Sequence, residues 1–300
     1  MKKVNINELT PMRRQQWLQH VIAPRPIGLV STIDAEGRAN LSPFSFFNIF
    51  SSTPPILVFS PARRVRDNTT KHTLDNVIAV PEAVIHIVDE SIVHRASLSS
   101  CEYPEGIDEF TMAGFIDALR VFAAHVRPPR VAESKVQLEC RVLEVKPLGQ
   151  EGGAGNLVIC EVLTMHVNES VLNEAGDMID PFRLTLVARL GADWYCRVNE
   201  GSLFEVEKPN QQLGIGFPGL PAEIRHSRIL NGEQLARLAN VTSIPDAIPS
   251  FDDPHVRQIV QYFSINPEEM EIELHKHAAR LVNEGHIADA WQVLLHATAF

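Results

Sequence analysis

Arg25-Pro26-Ile27-Gly28-Leu29-Val30-Ser31-Thr32-Ile33, then Asp34-Ala35-Glu36-Gly37, then Asn40-Leu41-Ser42-Pro43-Phe44-Ser45-Phe46-Phe47-Asn48, is the stretch on which the fold turns. Residues 27–33 read as a strand. Ile27, Leu29, Ser31 and Ile33 share one face; Gly28, Val30 and Thr32 share the other. Ser31 and Thr32 therefore point to opposite sides unless the strand ends or bulges between them. The turn at 34–37 should fold residues 38–42 back as the second arm of a hairpin. Further on, Pro54-Pro55 disfavours helix ahead of a short buried strand at 56–60. Asp67 or Asn68 then caps a helix running to about Ala79, with Leu74, Val77 and Ile78 as its apolar stripe.

Working outward, residues 83–88 read as a strand, 90–99 as a helix and 101–134 as loop-rich. Val136, Leu138, Cys140 and Val142 alternate with Gln137, Glu139 and Arg141, after which the parity flips to Leu143 and Val145. Such a flip marks a bulge or a strand rounding a closed barrel. A second long strand, 156–167, returns through a loose hairpin at 149–155. Residues 184–190 and 194–198 suit edge strands. Near 208 the character changes: Pro209, Gly214, Gly216, Pro218, Gly219 and Pro221 make a linker. Helical patterns follow at 233–240, 255–263, 268–283 and 286–297. The last two form a hairpin closed at Gly285, lined by Met270, Leu274, Ala278 and Leu281 and by Ala288, Trp291 and Leu295. No repeat of fixed period occurs. The expectation is a mainly β fold with helices: a barrel over 1–207 and a C-terminal α-helical extension over 208–300.

Of the 300 residues, 45% are apolar, enough to build a core, and the net charge of −10 argues against a nucleic-acid surface. Arg63-Arg64-Val65-Arg66 is too short to offset that charge and reads as a solvated loop. The cysteines at 101, 140, 160 and 196 form no Cys-x-x-Cys pair, so zinc and redox spacing are both missing. Cys140 and Cys160 fall in strand-like runs as small hydrophobes. No metal site is expected from His72, His86, His94, His125 and His166, which lack ligand spacing. No apolar run approaches the length of a membrane span. The expected location is cytoplasmic, with reduced thiols. Gly214-Ile215-Gly216-Phe217-Pro218-Gly219 spells G-x-G-x-x-G, but Pro218 and the linker context argue against a dinucleotide fold.

What remains is a gathering of hydroxyls, one lysine and backbone amides. A phosphate needs donors, and a helix start near Asn68 offers unpaired N–H groups and the positive dipole end. Lys71 adds a charge and Thr73 a hydroxyl. Each charged hydrogen bond contributes roughly 1.5–3 kcal/mol. Such contacts localise a phosphate without selecting what it is attached to. Residues 40–48, irregular around Pro43, leave main-chain groups able to meet the edge of a heterocyclic ring. Phe44, Phe46 and Phe47 either pack on a ring face or fill the core.

Several of these motifs, in order, resemble the flavin reductase-like family. They are the 24–32 run, Asp34-x-x-Gly37, residues 40–48, Ser52-x-Pro54-Pro55 and Lys71-x-Thr73-x-x-Asn76. Glu102-Tyr103-Pro104-x-Gly106-x-Asp108-Glu109-Phe110, residues 127–134 and Arg189-Leu190-Gly191-x-x-x-Tyr195 continue the match, over about residues 20–200. The resemblance implies an FMN-binding Greek-key split β-barrel and a homodimer with the flavin near the subunit interface. It implies phosphate contacts from Lys71 and Thr73, with Ser31, Thr32 or Ser60 nearby. The ring edge should meet the backbone of Asn40, Leu41, Ser42 and Pro43. Ser45 and Asn48 shape the pocket; residues 130–134 and Tyr195 are candidates for its rim. His72 stands where relatives often carry aspartate, and Cys101 where a small residue is expected. The implied activity is an NAD(P)H-dependent flavin oxidoreductase, with NADH or NADPH a transient visitor and a small molecule or a protein as electron acceptor. The alternative is a flavoredoxin-like electron carrier or flavin-holding protein without nicotinamide turnover. Hydride transfer to a flavin requires no side-chain acid or base, so no catalytic residue is nominated.

Overall fold

Alternation of apolar residues at period two builds most of the N-terminal architecture. In a computed structural model, which describes residues 1–104, 106–115, 120–206 and 213–297, the chain divides into two compact units, Met1–Phe204 and Glu205–Phe300. The first opens with helix α1 (Pro11–Val21). Strands β1 (Gly28–Ile33), β2 (Ala39–Phe44), β3 (Phe47–Ser52) and β4 (Pro55–Phe59) follow, then α2 (His72–Ala79) and β5 (Glu82–Ile87). Short elements come next: α3 (Val93–Leu98), α4 (Glu109–Met112), β6 (Arg120–Val121) and β7 (Arg130–Val131). Two long strands, β8 (Val136–Pro147) and β9 (Asn156–Val167), precede a small ribbon of β10 (Val187–Arg189) and β11 (Tyr195–Arg197).

Seven strands form one antiparallel sheet in the order β2-β1-β5-β8-β9-β4-β3. β2 and β3 stand at opposite ends of that order, yet only Ser45 and Phe46 separate them. Three peptide steps reach at most about 11 Å, so the sheet must curl until its two ends meet at that corner. The predicted parity flip in β8 is a register shift between Val142 and Glu144, opposite Cys160 and Ile159.

The two faces of β1 serve different cores. Val30 packs with Phe44, Phe59, Ile85, Cys140 and Cys160 under Leu74 and Val77 of α2. Leu29 packs on the other side with Leu41, Ile92, Phe110, Phe115 and Val131. Ile78, placed by sequence on the apolar stripe of α2, is exposed; Thr73 and Asn76 are buried instead, facing Asn40 and Thr32. Helix α2 also starts later than its sequence suggests. Asp67 spends its carboxylate on the Thr69 amide and hydroxyl, and Asn68 adopts a left-handed φ of 58°, so the helix begins at His72 with Lys71 at the N-cap.

The second unit holds α5 (Gly216–Gly219), α6 (Ala222–Arg225), α7 (Gly232–Leu238), α8 (Pro254–Tyr262), α9 (Pro267–Glu284) and α10 (Ile287–Ala297). Asn231 and Gln234 form a capping box on α7, and Gly285 at φ 91° closes α9. Met270, Leu274, Ala278 and Trp291 are buried as read from sequence, with Trp291 donating to the Leu238 carbonyl at 3.2 Å. Ala288 is exposed and Ala290 buried in its place, because α10 begins at Ile287 and turns the 290–291–294 stripe inward. The predicted linker residue Pro209 lies outside the described residues. No helix among the described residues is long and apolar enough to cross a membrane.

Candidate functional site

The amino end of α2 abuts the edge strand β2. No side chain caps this helix, so the amides of its first turn keep no side-chain acceptor. Lys71 is half-buried there, its Nζ lying 5.3 Å from the centroid of the Phe44 ring. It makes no ion pair with any described residue. Burial, and then the nearby Arg64, push its pKa below the ordinary lysine value. Thr73 accepts a hydrogen bond from Asn40 Nδ2 at 2.9 Å, which leaves its own hydroxyl proton to donate. Asn40, Ser42, Lys71 and Thr73 thus border one narrow cleft of about 70 Å³.

Arg64, missed as part of a solvated loop, also borders that cleft. Only 19% of its side chain is exposed. It donates to Thr69 Oγ1 at 2.9 Å and to the Thr70 carbonyl, and pairs with Glu102 at 3.2 Å. Ser99 and Ser100 bring further hydroxyls from the end of α3. The signals were the Arg63–Arg66 cluster and the 102–110 motif, neither of which predicts a side-chain direction by itself.

Main-chain geometry explains what β2 offers. Its pairs with β1 run Asn40↔Thr32, Leu41↔Ser31 and Ser42↔Val30. Leu41 N–H points away from β1, to Glu109 Oε2 at 3.4 Å. By alternation, Asn40 and Ser42 turn their amides toward β1. Pro43 has no N–H, so Leu41 supplies the outward amide of the 40–43 segment.

The other predicted residues scatter. Thr32 is buried and accepts from Asn76 Nδ2 at 3.1 Å. Ser31, on the opposite face of β1, is buried with no hydrogen-bond partner for its hydroxyl among the described residues. Ser45 accepts from Arg25 Nε at 3.4 Å. Asn48 is exposed on β3 and bonds the Ile49 amide. Ser60 lies at the end of β4 beside Gly155, whose missing Cβ would come within 2.6 Å of the hydroxyl. Tyr195 stacks under Arg189 at 4.6 Å on the small ribbon. Neither Ser60 nor Tyr195 lines the cleft.

Two larger cavities adjoin. One, of about 860 Å³, shares Arg64 and Lys71 with the cleft and is bordered by α1, Arg25, Phe46 and the Gly152–Ala154 backbone. Phe44 and Phe47 belong to the core, whereas Phe46 is 42% exposed and lines this space. The other, of about 1130 Å³, shares Asn40, His72 and Glu109 with the cleft and extends past Asp34, Arg38, Asp75 and Asp108. At about 70 Å³ the cleft is an order of magnitude smaller than the two spaces beside it, so a compact group suits the cleft and a fused ring needs one of the wider spaces. An ammonium with no ion-pair partner among the described residues, an uncapped helix start and the Thr73 hydroxyl proton are donors fitted to an oxyanion, whereas Ser99 and Ser100 already donate to the Ala96 and Ser97 carbonyls.

Comparison with known proteins gives the family. Residues 21–185 match the flavin reductase like domain. An uncharacterised protein of Halalkalibacterium halodurans is 33% identical over 209 residues, covering 69% of this chain and 96% of that one. The nitrilotriacetate monooxygenase component B of Bacillus cereus superposes with a TM-score of 0.63 at 29% identity, over 69% of this chain and 98% of its own. The 2-nitrobenzoate 2-nitroreductase of Pseudomonas fluorescens gives 0.60 at 25% identity, over 69% and 96%. A protein with a split barrel domain from Shewanella frigidimarina, 24% identical with a TM-score of 0.58, covers 69% of this chain and 98% of its own and shares the fold. With more than half of its length matched by one domain, the chain belongs to the flavin reductase-like family.

Proposed function

We propose that this protein is an FMN-binding redox flavoprotein working as an NAD(P)H-dependent oxidoreductase. The observation that carries the reading is Lys71, a half-buried cation with no carboxylate partner among the described residues, held at an uncapped helix start among hydroxyls. Lys71, Arg64, Thr73 and Ser42 would hold the phosphate; Leu41 N–H and the outward carbonyls of β2 would meet the ring edge. When bound, FMN supplies a ring that accepts and returns a hydride. The protein's part is to bind, orient and shield it.

Room for a second small molecule supports turnover over mere storage. Both wide cavities reach the size of pockets that take drug-sized ligands, about 300–1,000 Å³ or more. Within this reading NADH or NADPH is a transient visitor, the curled sheet is a Greek-key split barrel, and the working form is a cytoplasmic homodimer. The barrel occupies 1–207 and the helical extension 208–300. Exposed Ile49 and Phe50 on the terminal strand β3 support the dimer.

The visible spectrum of freshly purified protein, followed by calorimetric titration with FMN, tests the binding claim. A yellow preparation, or tight uptake by a colourless one, is expected; a colourless protein that takes up no FMN overturns it. Steady-state oxidation of NADH or NADPH by the loaded protein tests turnover. A bound flavin that is reduced only by a protein donor would make the chain an electron carrier instead.

A further inference from the structure

Glu109 is an unusual carboxylate. Its residue is 6% exposed, at the first position of α4, and no described residue forms an ion pair with it. It borders both the narrow cleft and the 1130 Å³ cavity. It also occupies, at a long 3.4 Å, the outward Leu41 amide that the 40–43 segment presents. The groups around it are His72 from α2, Tyr103 and Cys101 from the loop after α3, Asn40 from β2 and Asp108 from its own turn. Lys71 and Arg64 line the same cleft, and Arg38 beyond it pairs with Asp34 and Glu36.

We propose that Glu109 is the proton-linked group of the flavin site: docking of a ring edge at Leu41 displaces this carboxylate from the amide and makes it take up a proton. The inference rests on the reading that a flavin edge meets β2. Its logic is electrostatic. A carboxylate that is covered by an uncharged ring and gives up the Leu41 amide, keeping only its own backbone N–H, loses solvation and one of its two amide donors, and each loss disfavours the charge. Burial already pushes its pKa above the ordinary glutamate value before any ligand arrives, with the Asp108 carboxylate adding to this. Once protonated, Glu109 becomes an O–H donor beside a ring edge rich in acceptors. No electron moves in this step: one proton passes from solvent to Glu109.

Riboflavin is the cleanest titrant, since the phosphate of FMN has a second ionisation near pH 6 that adds its own protons. Calorimetric titration of the full chain is made in two buffers of different ionisation heat, from the ordinary glutamate range upward. The dependence of heat on buffer gives the proton count. Above the already raised Glu109 value of the free protein, the wild type is expected to take up a fraction of a proton that climbs toward one and falls away again once the pH passes the flavin-bound value. Glu109→Gln, which keeps an acceptor for Leu41 N–H, is expected to bind riboflavin with no such uptake. Equal counts in the two proteins overturn the inference. A wild-type count of zero at every pH overturns it without any variant. Failure to bind riboflavin or FMN at all removes the flavin reading itself, a result distinguishable from bound flavin with no proton.

Discussion

The two wide cavities of the N-terminal unit both contain arginines, but their arginines do different things. Around the 860 Å³ cavity the cations are tied chiefly to uncharged partners. Arg25 donates to the carbonyls of Gln19, Ile22 and Leu190 at 2.7–2.8 Å, Arg14 to those of Ile6 and Leu9, and Arg63 to Asn68. Carbonyls fix a guanidinium without cancelling its charge. Around the 1130 Å³ cavity, Arg38 pairs with Asp34 and Glu36, and Arg127 pairs with Glu82. There the surplus is acidic, from Asp75, Asp108 and Glu109. The lesson is that an arginine's partner, more than its presence, tells whether a space favours an anion. The cleft containing Lys71 joins the first cavity; Glu109 stands at the second.

Substitutions can break that contrast. The largest effect is expected at Arg25, which is 7% exposed. Arg25→Met removes three hydrogen bonds from a buried guanidinium to the carbonyls of Gln19, Ile22 and Leu190, and hydrogen bonds to a charged group contribute about 1.5–3 kcal/mol each. A stability loss of about 3 kcal/mol or more should appear in denaturant unfolding, since this arginine braces the wall. Lys71→Ala should leave unfolding nearly unchanged. It should weaken FMN binding by about 1.5–3 kcal/mol, a factor of roughly 10–150, and riboflavin binding much less. Equal losses for the two ligands would show that Lys71 does not touch phosphate. Added salt should follow the same division, lowering FMN affinity while sparing riboflavin.

Glu109→Gln should act through pH. A carboxyl whose pKa is raised on folding holds its proton more tightly when folded. Its contribution is therefore lost as pH rises from the unfolded value, 4.5, through the raised folded value. The variant should be more stable than the wild type at neutral pH, with the advantage shrinking toward pH 4; a constant offset would argue against a raised pKa. Arg127→Ala is expected to do least. Its pair with Glu82 is 60% exposed on the arginine side, so a stability change under about 1 kcal/mol and an unaltered FMN affinity are expected.

Much of the fold was legible because strand parity is a local property. The two faces of β1, the turn at 34–37 and the bulge after Val142 all follow from residue order. The helical hairpin was legible because Gly285 ends α9 and the apolar spacing is helical. The start of α2 was not. The sequence offers Asp67 or Asn68 as the helix entry, but the structure starts α2 after Lys71, with Asp67 bonded to Thr69 and Arg64 reaching the Thr70 carbonyl. For the candidate site, Lys71 and Thr73 were read from residue type at a helix start and Asn40 and Ser42 from the family resemblance, and the structure brings all four to one cleft. Arg64 and Glu109 were not, since each becomes part of the cleft only when distant segments fold beside β2 and α2. Thr32 and Tyr195 carry suitable chemistry but bond elsewhere.

Cys140 and Cys160 lie in the core on neighbouring strands. Burial pushes the first thiol up to about 12 and the second well above the ordinary value. Neither supplies a thiolate for alkylation under mild conditions. Cys101, in contrast, is exposed and borders the cleft, while Cys196 is only partly accessible on the small ribbon. A maleimide dye added to the native chain would therefore label Cys101 first, giving a built-in optical sensor for whatever enters beside Lys71.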